Sequence, residues 1–388
     1  MPLAFTPISL GPLRLRNRIL KPATFEGMCP EGRVTDALVE HHRAVAAGGA
    51  ALTTVAYASI SPDGRSYATQ LLVDPGAAPG LRHLADAVHA EGAAVALQVG
   101  HCGYFANPRV IGGPPLGASR RFNTYGLAFA RPATEEDLAR VIRDFAAAAR
   151  IARDAGIDAV ELHLGHGYLV SQFLSPFTNR RRDRWGGSLE NRARLAVEVV
   201  RAARAATGPD YPILAKVNLF DGFPGGLTLP ESIAVARLLE AEGATALVLS
   251  CGFVSRTPLL MLRGEVPVRR MAAAQERWHA RLGLTLFGHL LVRPTPFTEG
   301  FLLEDALRMR AAVRLPLVLL GGLRSLATIE RALAGGIDMV GLGRALLHDP
   351  GLPRRMERGE TGASTCFPCN ECIAEMDRGG VRCTRPGS

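Results

Sequence analysis

Eight short apolar runs alternate with stretches of helical periodicity along this 388-residue chain, and this alternation constrains its fold more than any other feature. Continuous apolar strands between helices predict a parallel sheet, because helices bury both faces of such a sheet. Eight repeats in this length predict an α/β fold, a closed (β/α)8 TIM barrel, over residues 1–350. The predicted strands span residues 19–24, 50–56, 93–99, 157–163, 213–218, 246–251, 315–320 and 337–342.

Helix signals and loop composition support this division of the chain. Thr134 and Ser188 stand where helix N-caps are expected, and Gly208 follows a last helical turn. An open doubly wound sheet is the alternative, but no Gly-x-Gly-x-x-Gly follows the first strand. Residues 252–300 are predicted to form an elaborated loop region after the sixth strand, and residues 351–388 a cysteine-rich C-terminal segment. The clearest helical stretches are residues 135–155, 189–206, 229–242 and 325–334.

The composition argues against nucleic-acid and membrane partners. The formal charge is +9, but the arginines are spread along the chain, and aromatic residues make up only 6%, too few for an obvious stacking surface. No segment approaches the roughly 18 apolar residues of a membrane span. The N-terminus has no charged region followed by a long apolar run, so we expect no signal peptide and a cytoplasmic protein.

Polar side chains follow the fourth predicted strand, where a barrel places its active site. His163, His166 and Tyr168 lie within six residues of one another. Imidazoles donate or accept hydrogen bonds near neutral pH, and a phenol can deliver a proton. We therefore expect this trio to bind a substrate oxygen and to protonate a product. A metal-dependent hydrolase is a weaker alternative, because no suitable carboxylate or second histidine pair ends another strand.

Glycines and lysines mark the ends of other strands. Gly321 and Gly322 follow the seventh strand, and Gly343 and Arg344 follow the eighth, so their backbone amides and the guanidinium predict a phosphate site. The chain has only two lysines, both in apolar runs. A buried lysine needs a negative partner. The alternative is that the ammonium group extends to water from a strand end, which we expect for Lys21 but not for Lys216.

Six segments of the chain form a distinctive set of motifs. They are Leu-Arg-Asn-Arg-Ile at 15–19, Gln-Val-Gly-His-Cys-Gly at 98–103, Glu-Leu-His-Leu-Gly-His-Gly-Tyr at 161–168, Ser-Gln-Phe-Leu-Ser-Pro at 171–176, the run Asn-Arg-Arg-Arg-Asp-Arg-Trp-Gly-Gly-Ser-Leu-Glu-Asn-Arg at 179–192, and Gly-Leu-Gly-Arg at 341–344. Together these segments resemble the old yellow enzyme family of NADH:flavin oxidoreductases. The resemblance extends over residues 15–350 and is most specific over residues 161–192. It is strongest for the branch that includes the barrel of 2,4-dienoyl-CoA reductase and trimethylamine dehydrogenase.

The resemblance implies an FMN-dependent enzyme that takes electrons from NAD(P)H. His163 and His166 would bind a carbonyl oxygen, and Tyr168 would protonate the α-carbon after hydride reaches the β-carbon of an α,β-unsaturated carbonyl compound. An ene-reductase is thus the first expectation. The alternative is a dehydrogenase or demethylase that passes electrons through an iron–sulfur cluster. Lys216 departs from the family, which has an arginine there. The implied FMN-binding residues are Pro22, Ala23, Thr24, Ala56, Gln98, Lys216, Gly321, Gly322, Gly343 and Arg344.

Four cysteines, Cys366, Cys369, Cys372 and Cys383, cluster near the C-terminus. In a cytosolic protein such spacing more often indicates metal binding than disulfides. Four thiolates suit an iron–sulfur cluster or zinc, and free thiols are the third possibility. The resemblance implies a four-iron–four-sulfur cluster, with an asparagine after the second cysteine, as at Asn370.

The electron route and the substrate stay open at this point. In the branch named above, a flavin and pyridine-nucleotide domain follows the cluster, whereas this sequence ends at Ser388. We expect either direct reduction by NAD(P)H, a separate electron-transfer partner protein, or a purely structural metal site; an oligomer is possible. Residues 252–300 carry Arg256, Arg263, Arg269 and Arg270, which are either surface charge or favour an acidic or CoA-linked substrate.

Overall fold

The computed structural model describes residues 1–124, 126–274, 278–291, 294–376 and 378–385, and its centre is a closed barrel of eight parallel strands. Each strand pairs with its neighbours in chain order, and the last strand pairs with the first, Val340 opposite Ile19. The prediction of a (β/α)8 barrel is confirmed. The barrel strands are β1 (Ile19–Lys21), β2 (Leu52–Ser59), β3 (Ala94–Gly100), β4 (Ala159–His163), β5 (Ile213–Asn218), β6 (Ala246–Ser250), β7 (Leu317–Leu319) and β8 (Met339–Gly341).

A helix follows each barrel strand, and local sequence fixes where it begins. Thr134 accepts a hydrogen bond from the Asp137 amide, and the Asp137 carboxylate accepts one from the Thr134 amide, so this helix begins with a capping box. Gly208, at φ 81°, ends the next helix. The barrel helices are α1 (Asp36–Ala47), α2 (Ala78–Ala90), α3 (Glu135–Asp154), α4 (Leu189–Thr207), α5 (Leu229–Ala241), α6 (Leu303–Arg310), α7 (Leu326–Ala334) and α8 (Arg344–His348).

An antiparallel hairpin closes the N-terminal end of the barrel. Its strands, Ile8–Leu10 and Leu13–Leu15, bring Leu10 and Leu15 against the barrel interior, where they share a buried cluster with Leu52 and Met339. Because this end is filled by apolar side chains, the opposite end, where the strands reach their carboxyl termini, is left for a site.

Two additions surround that opposite end. After β3 comes a small sheet of Leu116–Gly117, Arg121–Asn123 and Ala128–Pro132. After β6, the proline-rich region contains three helices: Pro258–Leu262, Val268–Ala273 and Trp278–Leu291. Pro258 begins a helix here instead of interrupting one, since proline is well suited to the first helical turn. Residues 275–277 and 292–293 of this region lie outside the described residues.

The cysteine-rich segment packs back onto the barrel. The Val381 amide donates to the carbonyl of Glu26 at 2.7 Å, and the Ser364 amide donates to the carbonyl of Arg324 at 2.8 Å. It also contains the helices Leu352–Glu357 and Glu371–Glu375. No described helix is long and apolar enough to cross a membrane.

Lys21 was expected to extend to water, but it does not. Its side chain is buried, and Nζ lies 2.7 Å from Glu26 Oε1 and 3.2 Å from the carbonyl oxygen of Thr54. The chain after β1 folds back so that Glu26 reaches this strand end. Lys21 and Glu26 thus form a buried ion pair behind the barrel mouth. Glu26 Oε1 also lies 3.5 Å from His42 Nε2.

Candidate active site

A cavity of about 900 Å³, counted with its solvent-open mouth, lies at the carboxyl ends of the barrel strands. Most of the predicted cofactor-binding residues line it. Gln98 and Ala56 are not among the described lining residues, and neither are His163 and Tyr168. The predicted residues at the wall are Pro22, Ala23, Thr24, His166, Lys216, Gly321, Gly322, Gly343 and Arg344; Ser250, Met261, Phe297 and Phe301 are among the others.

Lys216 enters this cavity from a buried polar network. Its Nζ lies 2.9 Å from Glu161 Oε1, and the same oxygen accepts a hydrogen bond from Gln98 Nε2 at 2.5 Å. Both members of the ion pair are about 1% exposed, so the charge of each requires the other. Sequence reasoning placed Glu161 inside a strand and gave it no role, although it is the carboxylate that keeps the lysine in place.

The rings of the two histidines and Tyr168 lie close together in the structure. The His163 ring centre lies 4.9 Å from that of His166 and 4.8 Å from that of Tyr168, both edge-on. His166 has a positive φ of 61°, and its amide donates to Asn218 Oδ1 at 2.9 Å. Its Nε2 lies 2.7 Å from Ser250 Oγ. This asparagine and serine are therefore what hold the imidazole at the cavity wall.

Both imidazoles are neutral. Burial, reinforced by His166 and Lys216, holds the pKa of His163 well below its usual value, and burial with Lys216 lowers the pKa of His166 to about 3. A neutral imidazole still has one N–H to donate to an oxygen. The pair is thus suited to hydrogen bonding, while transfer of a proton at neutral pH requires another group.

Tyr168 has a second tyrosine as its partner. Its hydroxyl donates to the Tyr57 hydroxyl at 3.1 Å, and the two rings stack with centres 5.1 Å apart. Cys102 Sγ donates to the same Tyr57 oxygen at 3.6 Å. Sequence reasoning missed Tyr57 because it ended the second strand at residue 56, whereas β2 continues to Ser59.

Glycines shape the part of the cavity between β7 and β8. Gly322 has φ 73°, and a Cβ there would lie 2.9 Å from the Phe297 ring. A Cβ on Gly343 would point across the cavity, 3.7 Å from Pro22 and 3.8 Å from Thr24. The first amides of α8 have no partners within that helix. This region can therefore accept an anionic group close to the backbone.

Arg344 connects this cavity to the cysteine-rich segment. Its Nη1 donates to the carbonyl oxygens of Leu262 and Arg263, each at 2.9 Å, and to Asn370 Oδ1 at 2.5 Å. Burial lowers the pKa of Arg344, although the nearby cysteine side chains oppose the shift. The guanidinium predicted to contact a phosphate therefore also fixes the loop that carries the cysteines.

The four clustered cysteines line one further cavity, of about 680 Å³ on the same measure. Arg344 and Cys366 belong to the walls of both cavities. All four cysteines are free thiols. Among the described residues, no three histidine, cysteine, aspartate or glutamate side chains are placed to hold a single metal ion.

Comparisons with known proteins give matches over most of the chain. The sequence profile of the NADH:flavin oxidoreductase / NADH oxidase family matches residues 3–254. The 4,4'-dithiodibutanoate disulfide reductase of Rhodococcus erythropolis is 44% identical over 383 residues, which cover 98% of this chain and 94% of that protein. A metal reductase of Desulforamulus reducens is 34% identical, covering 97% of this chain and 52% of the relative.

Among solved structures, a 2-naphthoyl-CoA reductase superposes with a TM-score of 0.82 at 26% identity, covering 98% of this chain and 56% of that one. The chain thus spans about half the length of several relatives and nearly all of the Rhodococcus protein.

Proposed function

Because the chain belongs to the NADH:flavin oxidoreductase / NADH oxidase family, we propose that it is an FMN-dependent ene-reductase that uses NAD(P)H to reduce the activated C=C bond of a small carbonyl compound. Bound FMN would supply hydride chemistry, accepting two electrons from NAD(P)H and giving them to the substrate. The observation that carries the proposal is the meeting of His163, His166 and Tyr168 beside a cavity lined by the implied FMN-binding residues.

The residues at the cavity wall fit FMN. Pro22 and Thr24 would pack against the ring system, and Lys216 would sit by its pyrimidine edge, where reduction places negative charge. The cradle at Gly322 and Gly343 would receive the phosphate without obstruction from a Cβ. A lysine presents a compact ammonium charge, whereas an arginine presents a planar guanidinium group with paired donors. The ion pair with Glu161 would therefore orient the Lys216 cation.

The protein side chains would divide the remaining chemistry. The neutral imidazoles of His163 and His166 would donate hydrogen bonds to the substrate oxygen, withdrawing electrons from the conjugated C=C bond. Tyr168 would give its phenolic proton to the α-carbon, balancing the hydride received by the β-carbon. The residues that act on the substrate thus all come from the end of β4 and from the loop that follows it.

Absorbance of the purified protein tests this proposal directly. We expect the bands of an oxidised flavin, bleaching by NADH or NADPH without oxygen, and recovery of colour when cyclohexenone is added, with cyclohexanone as the product. Cyclohexanone itself, which lacks the activated C=C bond, is the matched control and should leave the protein bleached. A colourless protein, or a bleached one that cyclohexenone does not reoxidise, would contradict the proposal.

Reduction of a disulfide is the second candidate function. It is favoured by the 44% identity to the Rhodococcus disulfide reductase over nearly the full length of both chains. The reaction consumes two electrons and two protons and releases two thiols, and the sulfur that leaves does so as a thiolate. Unlike alkene reduction, it needs no proton at carbon, so the two functions differ in their dependence on Tyr168.

We also propose that Cys366, Cys369, Cys372 and Cys383 hold a four-iron–four-sulfur cluster. The four thiols line one common cavity, and four cysteine thiolates are the ligand set of such a cluster. Burial raises the pKa of Cys372 to about 12, so a thiolate there needs a cationic partner. Through Arg344 and Cys366 the two cavities adjoin, which also supports a dehydrogenase that exports electrons as an alternative to the ene-reductase.

Iron and acid-labile sulfide in anaerobically purified protein test the cluster. We expect about four of each per chain, and loss of most of both in Cys372→Ser. Cys29→Ser changes a buried cysteine elsewhere and should keep both. Zinc in place of iron, or equal iron in the two variants, would contradict the cluster.

A further inference from the structure

Two arginines share an aromatic platform near the barrel mouth. Arg121 Cζ lies 3.6 Å from the centre of the Phe177 ring, and Arg256 Cζ lies 4.8 Å from the same centre and 5.3 Å from that of Phe223. We call Arg121, Arg256, Phe177 and Phe223 the arginine–aromatic patch. Arg256 is exposed, whereas Arg121 is half-buried and donates to the Phe177 carbonyl oxygen at 3.0 Å.

The patch adjoins the loop after β4, which carries His166 and Tyr168. The Val254 amide, two residues before Arg256, donates to the carbonyl of His166 at 2.9 Å. The Val254 side chain packs against the buried cluster that includes Tyr57 and Tyr168. Arg256 therefore projects from a short segment that is hydrogen-bonded to His166 and packed against the cluster containing Tyr168.

Hydroxyl groups lie beside the arginines. The hydroxyls of Tyr104 and Ser255 are hydrogen-bonded to each other. Burial raises the pKa of Tyr104 even though Arg121 and Arg256 oppose the shift, which keeps the phenol neutral and able to donate. The side of the patch nearest the loop thus offers further hydrogen-bond donors to an oxygen ligand.

The patch collects positive charge that the protein itself does not neutralise. In the described part of the chain, neither Arg121 nor Arg256 lies within ion-pair distance of a carboxylate, whereas Arg181 and Arg184 nearby each do. Burial lowers the pKa of Arg121, and Arg180 and Arg256 lower it further, while Tyr104 partly opposes the shift. Gathering like charges around a partly desolvated guanidinium costs free energy, which an anion would offset.

We propose that the arginine–aromatic patch binds the carboxylate of an anionic substrate and so selects acidic acceptors for the proposed reductase. Arg256 donates hydrogen bonds to the carboxylate. Arg121, which is held in place by Phe177, adds electrostatic attraction for the anion. Under this proposal, Arg256 serves substrate recognition and is more than surface charge. The disulfide named for the Rhodococcus relative also carries carboxylates. The inference rests on the proposed function only in naming the bond that is reduced. Binding of the carboxylate does not depend on that reaction.

Matched acid and ester probes test the patch. By calorimetry, the wild-type enzyme should bind levulinate about tenfold more tightly than methyl levulinate, as expected of a charge-assisted hydrogen bond, and added salt should weaken only the acid. Arg256→Gln should abolish the preference, while Arg120→Gln should keep it. Arg120 is a fair control because it neighbours Arg121, is exposed and also lies over an aromatic ring, Phe129 at 4.2 Å.

Turnover separates this inference from the proposed function. Acetylacrylate should be reduced with a kcat/KM about tenfold above that of its methyl ester, and Arg256→Gln should lower only the value for the acid. Equal affinity of the wild type for levulinate and its ester, or the same loss in Arg120→Gln as in Arg256→Gln, overturns the patch. A preference for levulinate together with no reduction of either alkene upholds the patch and overturns the ene-reductase.

Discussion

Replacing Tyr168 with phenylalanine is expected to slow alkene reduction by about 10²–10⁴-fold, the usual contribution of a positioned proton donor. The substitution removes only the hydroxyl, so the ring can still stack on Tyr57 and meet His163 edge-on. Reduction of the bound flavin by NAD(P)H needs no proton from Tyr168 and should keep its rate. Anaerobic stopped-flow absorbance, following bleaching and recovery separately, measures both halves of the cycle.

Tyr57→Phe is the matched control for this prediction. It removes the oxygen that accepts from Tyr168 at 3.1 Å but leaves the proposed donor in place. We expect a loss of about tenfold, since one neutral hydrogen bond is involved. An unchanged alkene rate in Tyr168→Phe, or a larger loss in Tyr57→Phe, would refute the assigned roles. If the physiological acceptor is a disulfide, Tyr168→Phe should barely affect its cleavage, because the leaving thiolate needs no proton at carbon.

The barrel was predictable because its signal is local and repeated. Each apolar run needed only its own residues to indicate a buried strand, and eight of them left one closed parallel arrangement. The same logic located His163 and Lys216, since the last residues of a barrel strand face the active-site end. Glu161 was predictable too, but was missed. It stands two residues before His163, and alternation in a strand puts both side chains on one face, toward the barrel interior.

Other parts of the site depend on contacts that no local pattern reveals. Tyr57 meets Tyr168 across 111 positions of sequence, and Glu26 reaches Lys21 only because the chain after β1 turns back. Likewise, Arg256 lies close to the loop after β4 because the Val254 amide bonds to His166, 88 positions earlier in the sequence. Such pairings depend on how the loops pack at the barrel mouth. The type of a side chain does not determine which of many possible partners it contacts.

The two buried lysines allow a controlled test of what Lys216 contributes. Lys216→Met leaves the Glu161 carboxylate buried with Gln98 as its remaining partner, and breaking a buried pair in this way costs about 3–5 kcal/mol. We expect the urea midpoint of the apoprotein to fall accordingly. Flavin affinity should fall as well, because the ammonium group that Lys216 places at the cavity wall is gone.

The double variant Glu161→Gln/Lys216→Met separates these two effects. With neither charge buried, most of the lost stability should return, while the loss of flavin affinity should persist because position 216 no longer presents a cation to the cavity. Lys21→Met is the control, since Lys21 pairs with Glu26 but does not line the cavity. It should destabilise the apoprotein and leave flavin affinity unchanged. Recovery of flavin affinity in the double variant, or an equal loss of it in Lys21→Met, would mean that Lys216 acts through the fold and has no direct part in holding the cofactor.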